Sequence, residues 1–500
     1  LKACARFGEK IAIIDGETRL SYARYGQIVE DLARGFIGAG ITPGDRIAIF
    51  LPNSWEFAAA YHAATLADAI PTPVNTSYKE REVRYQLENS GARLLITDGA
   101  LIATMNLSGL PALQRVYSTR TAAPGTHLFA DLLRGSSSPL PQPAQPSEVT
   151  LAALPFSSGT TGLPKGVRLS HYNLVANVYQ LAGPNTAPFS ENLTALLFLP
   201  LYHIYGLNVV LNPFLMLGGT LVLMARFDPQ RAAQLIGSGE INFIPAVPPV
   251  INVFSQMAEA GAFPKNHHVR WVKSGAAPLA PEVASRFTGL TGIKVVQGYG
   301  MTEASPVTHV GFEEGVLYRP ASIGGPVAKT DCRILNEQGE ESAPGEIGEL
   351  VMRGPQFMRG YWQSPESTAD VLRDGWYYSG DVARIDELGL YYIVDRRKEM
   401  IKYKGLPIAP AEVESVLLDC PLVRDAGVVA KPDADAGEVP CAFVVLREGV
   451  PETEKTQREI CGFAAERLAG YKQPREIRFV SQIPRNPSGK VLRRELRNQV

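Results

Sequence analysis

Cysteine is scarce in this chain, and net charge is almost nil. The five cysteines (Cys4, Cys332, Cys420, Cys441 and Cys461) stand far apart, with no CxxC and no paired spacing. An odd, scattered set excludes a disulfide framework and a cysteine-ligated zinc site, and points to reduced thiols in a cytoplasmic protein. Forty-nine basic residues face 50 acidic ones, a formal charge of -1. Nothing in that balance calls for nucleic acid or an anionic membrane as a partner. Long apolar runs are missing too. The most apolar region, 193–225, is interrupted by Pro200, His203, Asn208, Asn212 and Pro213. No span of about 18 apolar residues survives to cross a bilayer, so a buried interior segment is expected. The opening LKACARFGEK has neither an apolar h-region nor an initiator Met. It does not read as a signal peptide, and a start trimmed short is expected. Internal repeats are absent.

What is there suits a globular protein of more than one domain. The chain has 500 residues, 45% of them hydrophobic and 20% charged. That length exceeds one compact core. Over residues 1–120, strand-like runs (KIAIIDG, RIAIFLP, ARLLITD) alternate with helical patterns (SYARYGQIVEDLARGFIGAG, with Ser21 as its cap, and EREVRYQLENSG). Such alternation argues for an α/β class. The Ser- and Pro-rich stretch 121–148 is expected to be a surface connection. Aromatic-rich strands between glycine turns, from GELVMRG to GLYYIVDRRKEM, suggest a smaller β subdomain. After about residue 395 a compact α+β pattern of roughly a hundred residues begins, a plausible separate domain.

The segment SSGTTGLPKG, 157–166, crowds small hydroxyls and glycines before a lysine. It is not a Walker A loop, because Pro164 precedes Lys165 and Gly166 follows it. Its composition suits a phosphate cradle, since glycine admits close backbone N–H groups and hydroxyls donate. It also suits an ordinary surface loop, and composition alone does not choose.

The order of the motifs does choose. SSGTTGLPKGV resembles the signature loop of the adenylate-forming superfamily, which includes acyl-CoA synthetases, 4-coumarate–CoA ligases, beetle luciferases and peptide-synthetase adenylation domains. SGAAPL (274–279), QGYGMTE (297–303), YYSGD (377–381), DRRKEMIKYKG (395–405), APAEVE (409–414) and PRNPSGKVLRREL (484–496) follow in that family's order. The resemblance runs from about residue 10 to the end. It implies an α/β fold: a large N-terminal domain, 1–395, of αβ-layered subdomains plus a β subdomain, and a small mobile α+β C-terminal domain, 396–500, with its hinge at Lys398.

The activity implied is an ATP-dependent carboxylic acid–CoA ligase. An acid attacks the α-phosphate of ATP to give acyl-AMP and pyrophosphate, and the thiol of coenzyme A then displaces AMP. By the same resemblance, Ser157, Ser158, Gly159, Thr160, Thr161, Gly162 and Lys165 hold the β- and γ-phosphates. Thr302 bonds a phosphate oxygen and Glu303 binds Mg²⁺. Gly275, Ala276, Ala277, Gln297, Gly298, Tyr299 and Gly300 form the adenine slot, with Tyr299 stacking on the base. Asp381 accepts the ribose hydroxyls and Arg396 reaches the ribose, while Arg397 beside it is expected in a surface ion pair. Lys490 bridges the carboxylate and the α-phosphate.

His203, ordinarily a core histidine in so apolar a setting, is placed beside the acyl carboxylate for orientation. The acyl pocket implied is His203, Tyr205, Val209, Lys273, Ala276, Gly298, Pro306 and Val307, suited to a fatty or a hydroxycinnamate-like aromatic acid. After domain rotation, Lys402, Lys404 and Gly405 line the pantetheine tunnel. Pro407 departs from the pattern: relatives of the aryl-CoA type usually have a Gln there, and proline offers no donor. A luciferase-like oxygenase, a carrier-protein-loading ligase or a non-catalytic nucleotide binder are the alternatives. The sequence is silent on oligomeric state.

Overall fold

RIAIF and ARLLIT are apolar on both faces, as strands buried in a parallel sheet must be. In the computed structural model the strand Arg46–Phe50 lies between Ile70–Pro73 and Ala92–Thr97, followed by Arg115–Ser118 and His127–Leu128, all parallel. The structure describes residues 1–134, 138–141, 149–157, 164–183, 189–312, 315–404, 406–433, 435–486 and 489–500. The region expected to be a surface connection is partly built into this layer. His127–Leu128 extends the sheet, and the following turn of helix, Phe129–Leu133, buries Phe129 and Leu132 in the core. Two large apolar side chains gave that stretch an inside that its Ser/Pro count concealed.

A second, nine-stranded sheet takes its centre from residues 194–300. Its order is Gly325–Pro326, Val307–Val310, Lys294–Gly300, Trp271–Ser274, Phe243–Ala246, Thr194–Leu197, Thr220–Leu223, Ile11–Asp15 and Thr18–Ser21. The inner strands are parallel and both edges antiparallel. The apolar region 193–225 is interior, as expected. It supplies two of these strands, a π-helical segment Tyr205–Leu211 and the helix Asn212–Leu217. Among the described residues no helix is long and apolar enough to cross a membrane.

The aromatic-rich stretch forms a five-stranded antiparallel sheet from Asp331–Leu335, Gly348–Arg353, Leu372–Arg373, Trp376–Ile385 and Tyr391–Arg396. These three sheets share one core, whose last members are Tyr391 and Ile393. A separate core begins at Ile401, where Val413, Leu417 and Ile460 from two helices pack on strands Val423–Asp433 and Gly437–Leu446. The chain is thus an α/β protein with a large N-terminal and a small C-terminal unit.

Candidate active site

In an open parallel sheet, ligands bind beyond the carboxyl ends of the strands, where backbone groups and loops face solvent. Here the strands Phe243–Ala246, Trp271–Ser274 and Lys294–Gly300 end at a cavity of about 900 Å³ lined by Val247, Gly275, Ala276 and Met301. That volume is in the range of small-molecule sites. Gly300 is needed for the wall itself, since a Cβ there would stand 2.1 Å from the Pro306 carbonyl oxygen.

On one side, Ser157 and Lys165 face each other in an antiparallel pair. Ser158, Gly159, Thr160, Thr161 and Gly162 lie outside the described residues. Lys165 Nζ donates to Ser367 Oγ (2.8 Å) and stands 5.2 Å from the centroid of the Tyr361 ring. The Tyr361 hydroxyl donates to Glu303 Oε1 at 2.8 Å. Glu303 and Thr302 occupy a 3₁₀ turn whose place is held by Met358, its N–H donating to the Glu303 carbonyl (2.7 Å). One carboxylate, bonded through Oε1 to Tyr361 and sharing the cavity with Ser157 and Lys165, fits magnesium, which takes one or two carboxylates and otherwise phosphate and water oxygens. Among the described residues there is no cluster of three metal-ligating side chains.

The five-stranded sheet supplies the opposite side. Its register sets Asp381 directly across from Arg396. Arg396 Nε meets Asp381 Oδ1 at 2.7 Å, and the Tyr299 hydroxyl donates to Oδ2. Burial, and then the Asp381 charge, push the Tyr299 hydroxyl well up, so it stays a donor. Ser379 Oγ accepts the Asp381 N–H (3.0 Å) and donates to the Leu350 carbonyl (2.6 Å). Arg397 pairs with Glu349 at the surface, as expected.

Gln297 and Ala277, expected in the adenine slot, do not line the cavity. The Gln297 amide instead accepts the Leu279 N–H (3.2 Å) and donates to the Pro320 carbonyl, fixing the loop behind the slot.

His203, Tyr205, Val209, Lys273, Ala276, Gly298, Pro306 and Val307 all line the cavity. His203 Nδ1 accepts the Tyr205 N–H (3.2 Å), which leaves the ring proton on Nε2. Burial pushes this imidazole down to about 4, so it is neutral at pH 7. The Tyr205 hydroxyl donates to the Lys273 carbonyl at 2.8 Å.

From the C-terminal unit come Lys490, Lys398 and Arg485. Gly489 lets the Lys490 loop seat on Pro249, which a Cβ would approach to 3.0 Å. Arg485 Nη1 holds the Gly489 carbonyl (2.8 Å) while Nη2 pairs with Asp425 (2.7 Å). Burial, and next the charge of Arg396, push the Lys490 ammonium down to about 8, with Asp381 opposing. Lys402 and Lys404 are exposed and do not line the cavity; Gly405 lies outside the described residues. Pro407 stands opposite Lys402 in an exposed hairpin.

Tyr361, Ser367 and Arg485 were not anticipated. GYW and Ser367 match no phosphate pattern, and Arg485 acts on another residue's backbone.

A neutral histidine and an apolar wall meet a lysine-, arginine- and carboxylate-lined pocket at the edge of a parallel sheet. That combination suits a pocket for a phosphate-bearing group beside an organic acid. Comparison with known proteins gives the family. The model of the AMP-binding enzymes matches residues 1–362, and that of the AMP-binding enzyme C-terminal domain matches 412–490. The chain is 36% identical to 4-coumarate–CoA ligase 5 of Oryza sativa subsp. japonica, covering 98% of this chain and 91% of that protein. It is 34% identical to a long-chain-fatty-acid–CoA ligase of Bacillus subtilis, over 99% and 92%. The Bacillus subtilis O-succinylbenzoate coenzyme A synthetase, solved with ATP and magnesium ion, superposes with a TM-score of 0.85 at 29% identity, over 100% of this chain and 97% of that one. The chain belongs to the adenylate-forming AMP-binding enzymes, and within them it is an AMP-forming acid–CoA ligase that uses ATP.

Proposed function

We propose that this ligase activates an apolar carboxylic acid, of the hydroxycinnamate-like or fatty class, as acyl-AMP with release of pyrophosphate and then transfers the acyl group to coenzyme A. The observation that carries this is the convergence on one cavity of Lys490 from the C-terminal unit with Lys165, Glu303, His203 and Arg396, which Asp381, itself outside the lining, holds by an ion pair.

A carboxylate oxygen forms a bond to the α-phosphorus as the bond to the pyrophosphate oxygen breaks. Negative charge grows on both groups, and a preorganised cation is the effective stabiliser. Lys490 serves the α-phosphate and the entering carboxylate. Lys165, Ser157 and the segment 158–162 hold the departing phosphates, with Thr302 beside them. Magnesium on Glu303 neutralises phosphate charge when bound. Asp381 takes the ribose hydroxyls on its remaining lone pairs, which Tyr299 and Arg396 orient by holding one on each oxygen. Neutral His203 points its Nε2–H at the acid and holds no mobile proton. The lining of Tyr205, Val209, Gly298, Pro306 and Val307 admits a flat ring or an extended chain, and apolar pockets discriminate weakly between such acids.

In the second step the coenzyme A sulfur bonds to the acyl carbon and AMP leaves. Lys490 has no part in that displacement. The domain 396–500 turns about Lys398 against 1–395, withdrawing Lys490 and presenting Lys402, Lys404 and the Gly405 segment to pantetheine. One rigid body moving on a short hinge accomplishes this.

The test is acid-dependent exchange of labelled pyrophosphate into ATP over a panel of cinnamates and saturated acids, with Mg²⁺, followed by thioester formation on adding coenzyme A. Exchange with at least one acid class is expected. No exchange with any acid sinks the proposal, and light emission with a luciferin in place of thioester would replace its second step.

A further inference from the structure

The helix His171–Leu181 buries three amides, Asn173, Asn177 and Gln180, among its apolar Leu174, Val178 and Leu181, while Tyr172, Val175 and Tyr179 face solvent. Buried amides are costly unless fully bonded, and these reach the backbone of other segments. Asn177, fully buried, accepts the Val307 N–H on Oδ1 (3.1 Å) and donates from Nδ2 to the Val307 carbonyl (2.8 Å). It treats Val307 as a neighbouring strand would. From the other side Asn208, fully buried in the π-helical segment, donates to the Ser305 carbonyl at 2.6 Å and to the Leu174 carbonyl at 3.3 Å. The two asparagines thus grip the residues on either side of Pro306. Neither side chain lines the cavity, whereas Pro306, Val307 and Val209 do.

The orientation of Asn208 is itself determined. Its Oδ1 accepts from Asn212 Nδ2 (2.7 Å), Asn212 Oδ1 meets His62 Nε2 (3.0 Å), and His62 Nδ1 meets the Tyr25 hydroxyl (2.6 Å). An imidazole with its proton on Nε2 satisfies both neighbours at once, with Tyr25 as donor. Burial pushes His62 down to about 4, which keeps it in that neutral form. The donors therefore all point one way, from Tyr25 through His62, Asn212 and Asn208 to the Ser305 carbonyl.

We propose that Asn208 and Asn177 are positioning residues for the acid-binding wall and set which acid the ligase accepts, with Tyr25, His62 and Asn212 holding Asn208 in register. The inference rests on the acid site proposed above. If either amide is lost, backbone groups beside Pro306 are left unbonded, and a buried unpaired group costs enough to move the segment. The nucleotide contacts on Asp381 and Arg396 lie on another sheet, whereas Tyr299 stands on the strand next to Val307–Val310.

The full chain carrying Asn208→Ser or Asn177→Ser is assayed by pyrophosphate exchange with a cinnamate-type acid and a medium-chain saturated acid. A rise of about tenfold in the KM for the acid is expected, with the KM for ATP within about twofold and the kcat/KM ratio of the two acids shifted about fivefold. Tyr25→Phe, which removes only the terminal hydroxyl, is expected to shift the same ratio by about twofold and carries the test if the serine variants do not fold. Parallel rises in both KM values, or an unaltered acid ratio whatever the loss of stability, overturn the inference. Exchange with no acid in the unsubstituted enzyme overturns the ligase reading and this inference together; an active enzyme whose variants keep its acid ratio overturns this inference alone.

Discussion

In the proposed reaction Lys490 and Gly298 have separate tasks, each testable at one residue. Lys490 is charged below its depressed value of about 8 and neutral above it. The ammonium is the form that can stabilise the α-phosphate, so adenylation is expected to fall as pH rises through about 8. In pyrophosphate exchange this appears as a basic limb in kcat/KM for ATP, which reports the free enzyme. Lys490→Arg keeps its charge at any working pH, and whatever activity it retains should lack that limb. A profile flat into the ordinary lysine range would contradict the assignment. Neutral His203, by contrast, adds no inflection near pH 6. Gly298 makes a different point, because a Cβ there would meet its nearest protein atom, the His309 carbonyl oxygen, at an ordinary 3.5 Å. Gly298→Ala should leave the melting temperature unchanged while lowering kcat/KM about tenfold for the bulkiest accepted acid. A variant that melts early with normal kinetics would show that the glycine serves the fold instead.

At the scale of elements, the working parts are short segments seated by neighbours. The Lys490 loop depends on Arg485, which holds the carbonyl of Gly489 while anchored on Asp425. Removing that guanidinium leaves the loop without its brace, so Arg485→Ala should slow acyl-AMP formation by about 10- to 100-fold, a loss of roughly 1.5–3 kcal/mol for a hydrogen bond to a charged group. Thioester formation from supplied acyl-AMP should be nearly normal. Equal loss of both half-reactions, measured in the two separate assays, would assign Arg485 to folding of the C-terminal unit. The helix after the phosphate segment is seated in the same manner: Ser170 accepts the Asn173 N–H while the Asn173 side chain accepts the Ser170 N–H, and Asn173 also donates to the Pro355 carbonyl. Its capping box therefore ties the phosphate side to the start of the segment that delivers Tyr361.

At the scale of the whole molecule, two units meet in one cavity. The structure holds Lys490 in the site and Lys402 outside it. Contacts cross the junction: Ala411 N–H donates to Asp395 Oδ2 at 2.8 Å, and Arg493 reaches Asp395 Oδ1 at 3.5 Å while also pairing with Glu414. Asp395 lies near the end of the last N-terminal strand, so a turn about Lys398 must exchange these partners. Two variants separate the half-reactions. Lys490→Ala should abolish acyl-AMP formation and spare thioester formation from supplied acyl-AMP, whereas Lys402→Ala should do the reverse. If either variant loses both reactions to the same degree, a rotating C-terminal domain is the wrong description.

Strands with continuous apolar runs, the Ser21 cap and the ordered motifs were legible in the residues, because they rest on local chemistry and on patterns a few positions long. The family and its two-unit plan followed from them. The partnerships were not legible. Tyr361 reaches Glu303 across 58 positions and Tyr299 reaches Asp381 across 82, and no local spacing encodes such a meeting. Nor could composition show that Gln297 turns away from the cavity, or that 127–128 joins a sheet. The residues alone determined which groups can hold a phosphate, a ribose or an acid. Only the tertiary structure decided which of them meet, because packing brings distant side chains within hydrogen-bonding distance and burial then settles their charge.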